Sequence, residues 1–228
     1  MIAAAADLPL GGLLAWATVV GVDLVTAPQG LLSRPLVAAT VAGWLCGDVV
    51  AGMSVGVVLE LFALDVLPVG ASRYPDYGAA AVGAATLAAH TDRWAGLGAG
   101  TGLGLALAAL GGWSLQWLRH ANTRALQGSV SAISRGSEAA IVRLQWLALL
   151  RDIARSLVLA GIAIGVAMLA RSALSNAESS RWLPVAAVAV GCAVAALTGG
   201  AIRSAGRGLR LNLLVAGLVA GTCWALLG

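Results

Sequence analysis

From residue 8 to residue 68 the chain is apolar almost throughout, but Asp23, Arg34, Asp48, Glu60 and Asp65 cut it into clean stretches of ten to fifteen residues. A membrane helix needs about 20 apolar residues to cross a hydrocarbon core of about 30 Å, so none of these stretches makes a simple crossing. Pro28, Gly30 and Pro35 add backbone breaks, and Pro68, Gly70 and Pro75 add more. Beyond residue 90 the pattern changes. Residues 94–118, 182–202 and 211–228 are charge-free runs of about spanning length, and the shorter run 156–170 extends backwards through 144–150. The pattern predicts an all-α, polytopic integral membrane protein with broken or re-entrant helices in its first third. Residues 1–228 read as a single membrane domain, with a broken-helix region over 8–92 that holds the candidate substrate site. Short segments interrupted by glycine and proline are the strongest sequence pointer to a transporter's binding region. The plainer reading is four short helices packed around one or two satisfied acids.

Composition supports the membrane assignment. Of 228 residues, 60% are hydrophobic and 11% charged, and mean hydropathy is +0.91. Charge that sparse cannot coat a water-soluble globule, which excludes soluble enzymes, nucleic-acid modules and disordered chains. The basic residues are all arginine, and their placement is uneven: three Arg and seven acids in residues 1–100, eleven Arg and three acids in 101–228. In an apolar chain this asymmetry speaks of topology rather than nucleic acid, because basic residues collect on the cytoplasmic side. Residues 119–138, at the start of the densest arginine stretch, are expected to form a cytoplasmic surface connector; an amphipathic arm there is the alternative. The first six residues lack a basic region, so no cleaved signal peptide is expected. Cys46, Cys192 and Cys223 lie in apolar runs without metal-ligand spacing and read as small core residues.

Candidate chemistry concentrates between residues 34 and 76. Asp48, Gly52, Gly56 and Glu60 recur every four residues; each step turns about 40° on a helix, so they form a slowly rotating stripe. A backbone or a flat polar ligand would fit against it. An intramembrane carboxylate costs roughly 2.5–3.5 kcal/mol on insertion scales and usually faces a cavity or a partner. Glu60, flanked by Leu59, Leu61 and Phe62, is the leading functional candidate. Asp48, beside Gly47, reads equally as a helix cap. Arg34 and Arg73 are the arginines placed to neutralise an acid. A carboxylate suits sugar hydroxyls and an ion pathway alike. The glycines at 96, 98, 100, 102 and 104 do not fit a nucleotide-binding loop and are expected to permit close helix contact. No cofactor or metal is expected, and lone His90 and His120 read as structural or exposed.

The run Arg34-Pro35-Leu36-Val37-Ala38, then Gly47-Asp48, Gly52 through Leu59-Glu60, Val69-Gly70-Ala71 and Pro75-Asp76 resembles the membrane subunit IIC of the mannose/fructose/sorbose phosphotransferase family. Weaker likeness continues through residues 111–124 and 145–165. Gln145 stands where the family tends to have a histidine, the last third is poor in aromatics, and the chain is shorter than usual members after Arg203. The resemblance implies a sugar-translocating subunit of the bacterial inner membrane, not itself an enzyme. It pairs with a IID-type membrane subunit in an oligomer, carries a hexose elevator-fashion, and hands it to soluble IIB, which with IIA supplies the phosphoryl group. Glu60 is then the first substrate-binding candidate, Asp48 and Asp76 the next, with Gly52 and Gly56 permitting close approach. Two other classes stay open: an ion-coupled or channel-like transporter, and a non-transporting membrane anchor or sensor.

Overall fold

The computed structural model describes residues 8–26, 29–64 and 74–174, with isolated positions further on. Pro28, Asp65, Pro68, the stretch 69–71, Arg73 and Cys192 lie outside the described residues, as do all but isolated positions of the expected spans at 182–202 and 211–228. Among the described residues there are six helices: α1 (Leu10–Asp23), α2 (Pro35–Leu45), α3 (Val49–Ala63), α4 (Tyr77–Ala89), α5 (Arg93–Ser134) and α6 (Glu138–Leu174). No strand occurs among the described residues.

At 1.5 Å per residue, α1 to α4 are about 17–23 Å long, short of a hydrocarbon core, whereas α5 and α6 reach about 63 and 56 Å. The expected broken first third is therefore a set of four short helices. Within the expected surface connector, residues 119–134 continue α5 as helix, and only residues 135–137 turn. No proline interrupts the stretch, and its Ala, Arg, Leu and Gln are strong helix formers. None of residues 119–134 is buried, so the connector is a helical arm.

The α2–α3 hairpin follows from its tip sequence. Gly47 takes φ +83°; its N–H donates to the Trp44 carbonyl at 3.1 Å, and the Asp48 N–H donates to the Gly43 carbonyl at 2.9 Å. This pair of bonds is the Schellman ending that a left-handed glycine allows. Asp48 then starts α3 at once, its carboxylate accepting from the Ala51 N–H at 2.9 Å. The hairpin closes through glycine: a Cβ at Gly52 would lie 2.4 Å from the Ala39 carbonyl oxygen, and one at Gly43 2.8 Å from the Gly52 Cα.

Helix α4 is the centre. Residues 78–88 are all buried, which explains a sequence of Ala, Gly and small apolar residues on every face. The glycines of α5 serve this contact, since Cβ atoms at Gly96 and Gly100 would each meet an α4 carbonyl oxygen, of Ala88 and Ala84, at 2.9 Å. Small residues let backbones approach where lipid offers no hydrophobic drive to associate. Cys46 is half-buried and Cys223 exposed, so Cys223 is not the core residue its apolar run suggested.

Candidate functional site

The short helices end at two levels. At one level lie the α2–α3 tip and the α4–α5 turn. At the other lie the end of α1, the start of α2, the end of α3 and the start of α4. Exposed Trp94 stands at the first level, and exposed Trp113 and Trp117 near the second. Along α5, Trp94 and Trp113 are about 29 Å apart, the thickness of a hydrocarbon core, and tryptophan concentrates at both interfaces of a membrane.

At the second level Arg34 and Glu60 form an ion pair through Arg34 Nη2 and Glu60 Oε1, and the Leu36 N–H donates to Glu60 Oε2 at 3.2 Å. Arg34 lines a cavity of about 290 Å³ together with Asp23, Gln29, Ser33, Tyr74 and Tyr77, and Glu60 is joined to that lining through Arg34. Asp23 shapes one wall. Its carboxylate accepts from the Gly30 N–H at 2.6 Å and the Ser33 N–H at 2.9 Å, folding the α1–α2 connection back on itself. Gln29 and Leu31 in that connection adopt positive φ, 55° and 68°, a region non-glycine residues rarely enter.

Behind the cavity lies a buried polar cluster. Arg155 of α6 donates from Nη1 to Asp76 Oδ2 at 2.8 Å and to Ser114 Oγ at 3.3 Å. Its Nε donates to Asp152 Oδ1 at 3.1 Å and its Nη2 to the Gly21 carbonyl at 3.4 Å. Thr26 Oγ1 donates to Asp152 Oδ2 at 2.5 Å. Asp76 also caps α4, accepting from the Gly78 N–H at 3.2 Å. One guanidinium thus ties α6 to the start of α4, to α5 and to the end of α1, and Asp76 and Asp152 are both fully buried. Outside the cluster, the Arg119 guanidinium lies 4.9 Å from the centre of the Tyr74 ring, a cation–π distance.

The structure separates the expected site residues. Glu60 does not itself line the Asp23 cavity and is connected to it through its partner Arg34. Asp76 is behind its wall, next to Pro75 and Tyr77, with its carboxylate turned to Arg155. Asp48 sits at the other end of α3, about 18 Å away along the axis. There it lines a second cavity, of about 470 Å³, with Ser54, Thr91, Arg93 and Trp94. Gly52 and Gly56 face α2, Gly56 against the Pro35 carbonyl and Ala39 Cβ, so a backbone occupies that part of the stripe. Two features of the sequence carried more than they were credited with. Asp23 is an organiser of the first cavity rather than a mere interruption. Asp152 and Arg155, three apart in an apolar helix, are the i,i+3 signature of an ion pair held inside a membrane. Among the described residues no group of three or more His, Cys, Asp and Glu side chains is placed to hold a metal ion.

Comparison with known proteins is consistent with this geometry. A solved structure described as a membrane protein superposes with a TM-score of 0.70 at 24% identity, covering 97% of this chain and 94% of that one, so the fold is shared. Over 83 residues the chain is 40% identical to the fructose permease IIC component of Bacillus subtilis (strain 168), a match that takes in 36% of this chain and 30% of that relative. The family described as PTS system sorbose-specific IIC component matches residues 10–216. Two long apolar helices and four short ones among the described residues agree with a match over most of the chain's length, and the chain belongs to the family described as PTS system sorbose-specific IIC component.

Proposed function

We propose that the chain is the sugar-translocating subunit of a phosphotransferase complex in the bacterial cytoplasmic membrane, binding a hexose at the cavity beside Glu60. The observation that carries this reading is the Arg34–Glu60 pair, whose arginine lines a cavity of mixed polar and apolar side chains where the ends of four short helices meet. An ionised carboxylate only accepts hydrogen bonds and a guanidinium only donates them. A hydroxyl does both, so a sugar can bridge the two groups and satisfy each. The nearby Tyr74 and Tyr77 offer ring faces with polar tips. The chain carries no phosphoryl-transfer chemistry in this reading. Soluble IIB, recharged by IIA, phosphorylates the sugar as it emerges, and a IID-type subunit covers part of the membrane surface in an oligomer.

Glu60→Gln is expected to weaken sugar binding at least tenfold, about 1.4 kcal/mol, while the protein still inserts and assembles; equilibrium binding of labelled fructose, mannose and sorbose measures it. Lowered assembly with unchanged affinity in the surviving protein would make Glu60 a structural acid. A strict sodium or proton requirement for flux would favour an ion-coupled carrier instead.

The Glu60 cavity lies towards the arginine-rich arm, and we assign that side to the cytoplasm. A Ser131→Cys variant should react with a membrane-impermeant thiol reagent only in inverted or opened vesicles, above the background of the native cysteines. Reaction at this position in intact cells would reverse the topology.

A further inference from the structure

We propose that the cavity at the α2–α3 tip is a second binding site, taking a neutral polyhydroxy ligand on the membrane face opposite the arginine-rich arm. The inference rests on the sugar-translocation reading above and adds a separate site to it. The cavity, about 470 Å³, is lined from three directions: Asp48 and Ser54 from the start of α3, Thr91 after α4, and Arg93, Trp94 and Leu97 from the first turns of α5. That volume falls within the range of small-molecule sites.

The charges define the ligand class. Asp48 and Arg93 line the same cavity, yet neither forms an ion pair with the other, with Asp92 or with any other described residue. Both are exposed, so both stay hydrated when alone. An anionic ligand would meet the Asp48 carboxylate, and a cationic one would meet the Arg93 guanidinium. A neutral molecule with adjacent hydroxyls donates to the first and accepts from the second, replacing water on both. Trp94 adds an aromatic surface with a polar edge. The Glu60 site contrasts with this: there the acid and the arginine already close on each other. Before a sugar reaches that inner pair, the open pair at the outer face can hold it. The tip geometry also fixes the outer acid, because the left-handed Gly47 and the Asp48 cap bond leave the carboxylate little freedom.

The test uses the full chain in lipid nanodiscs, with its IID-type partner where that is needed for assembly, and labelled D-fructose, D-mannose and L-sorbose as probes. Two variants remove the outer charges with little cost to the fold: Arg93→Gln, at an exposed position, and Asp48→Asn, which keeps a capping side chain. Wild type is expected to show two classes of site for at least one sugar. Each outer variant should weaken one class at least tenfold and leave the other unchanged, whereas Glu60→Gln should weaken the other. As a second measurement, saturating sugar should slow modification of Thr91→Cys by an impermeant thiol reagent added outside, and should not do so when Arg93→Gln is also present. A single class lost in Glu60→Gln and untouched in both outer variants would overturn the second site and leave the translocation reading standing. Absence of any sugar binding by wild type would overturn both.

Discussion

Replacing Arg155 with alanine is expected to remove most of the folded, monodisperse protein. The substitution leaves Asp76 and Asp152 facing each other's surroundings without their shared cation, and both are fully buried. Breaking a buried ion pair by deleting one partner costs about 3–5 kcal/mol, because the remaining charge is uncompensated. A native domain has only about 5–15 kcal/mol to lose. Here the damage spreads further, since Arg155 also bonds Ser114 and the Gly21 carbonyl and so joins four helices. Arg155→Lys should recover only part of the loss, as a single ammonium cannot match a planar fork aimed at several acceptors. The decisive comparison is Arg155→Ala combined with Asp76→Asn and Asp152→Asn. Asparagine at 76 still caps α4, and the triple variant no longer buries charge, so it should be more stable than Arg155→Ala alone. Thermal stability by size-exclusion in detergent reads all four proteins. Equal stability of Arg155→Ala and wild type would refute the role assigned to the cluster.

The second large effect concerns Gly52. Alanine there would place its Cβ 2.4 Å from the Ala39 carbonyl oxygen and 2.7 Å from the Gly43 Cα. These neighbours are backbone and cannot swing aside, so α2 and α3 must separate. Overpacking usually costs about 1–3 kcal/mol and occasionally more; a backbone-to-backbone contact puts Gly52→Ala at the upper end. Gly102→Ala is the matched control, because a Cβ there meets nothing within 4 Å. Alanine at that position should be neutral or stabilising by up to about 1 kcal/mol through helix propensity. Thermal inactivation of the two variants side by side measures the difference. Indistinguishable curves would mean that the α2–α3 contact does not limit stability.

The recurring spacing of Asp48, Gly52, Gly56 and Glu60 was legible as a stripe, but its meaning was not. A four-residue period says that side chains share a helix face; it does not say what lies against that face. The backbone of α2 lies against the two glycines, and the acids at the ends fall at opposite levels. Asp76 shows the same gap between pattern and outcome. It stands in the sequence as a substrate candidate, whereas in the structure it caps α4 and is neutralised by a group 79 residues away in α6. The arm at residues 119–134 is unburied, as a surface connector should be, but its helical form was not legible. Serine and arginine content suggests exposure, and exposure alone does not distinguish a loop from a solvated helix.

The chain's own sequence determined the membrane class, the apolar spans within α5 and α6, the short pieces of the first third and the turn-and-cap at Gly47 and Asp48. Each depends on local quantities: apolar run length, charge spacing, and the backbone freedom of one glycine. Tertiary structure alone decided which acids are satisfied and which line a cavity. The free energy of a buried charge is set by partners brought from distant parts of the chain, as Arg155 is to Asp76 and Arg34 to Glu60. Those pairings depend on how short helices stack in three dimensions, and no spacing along the sequence encodes that directly.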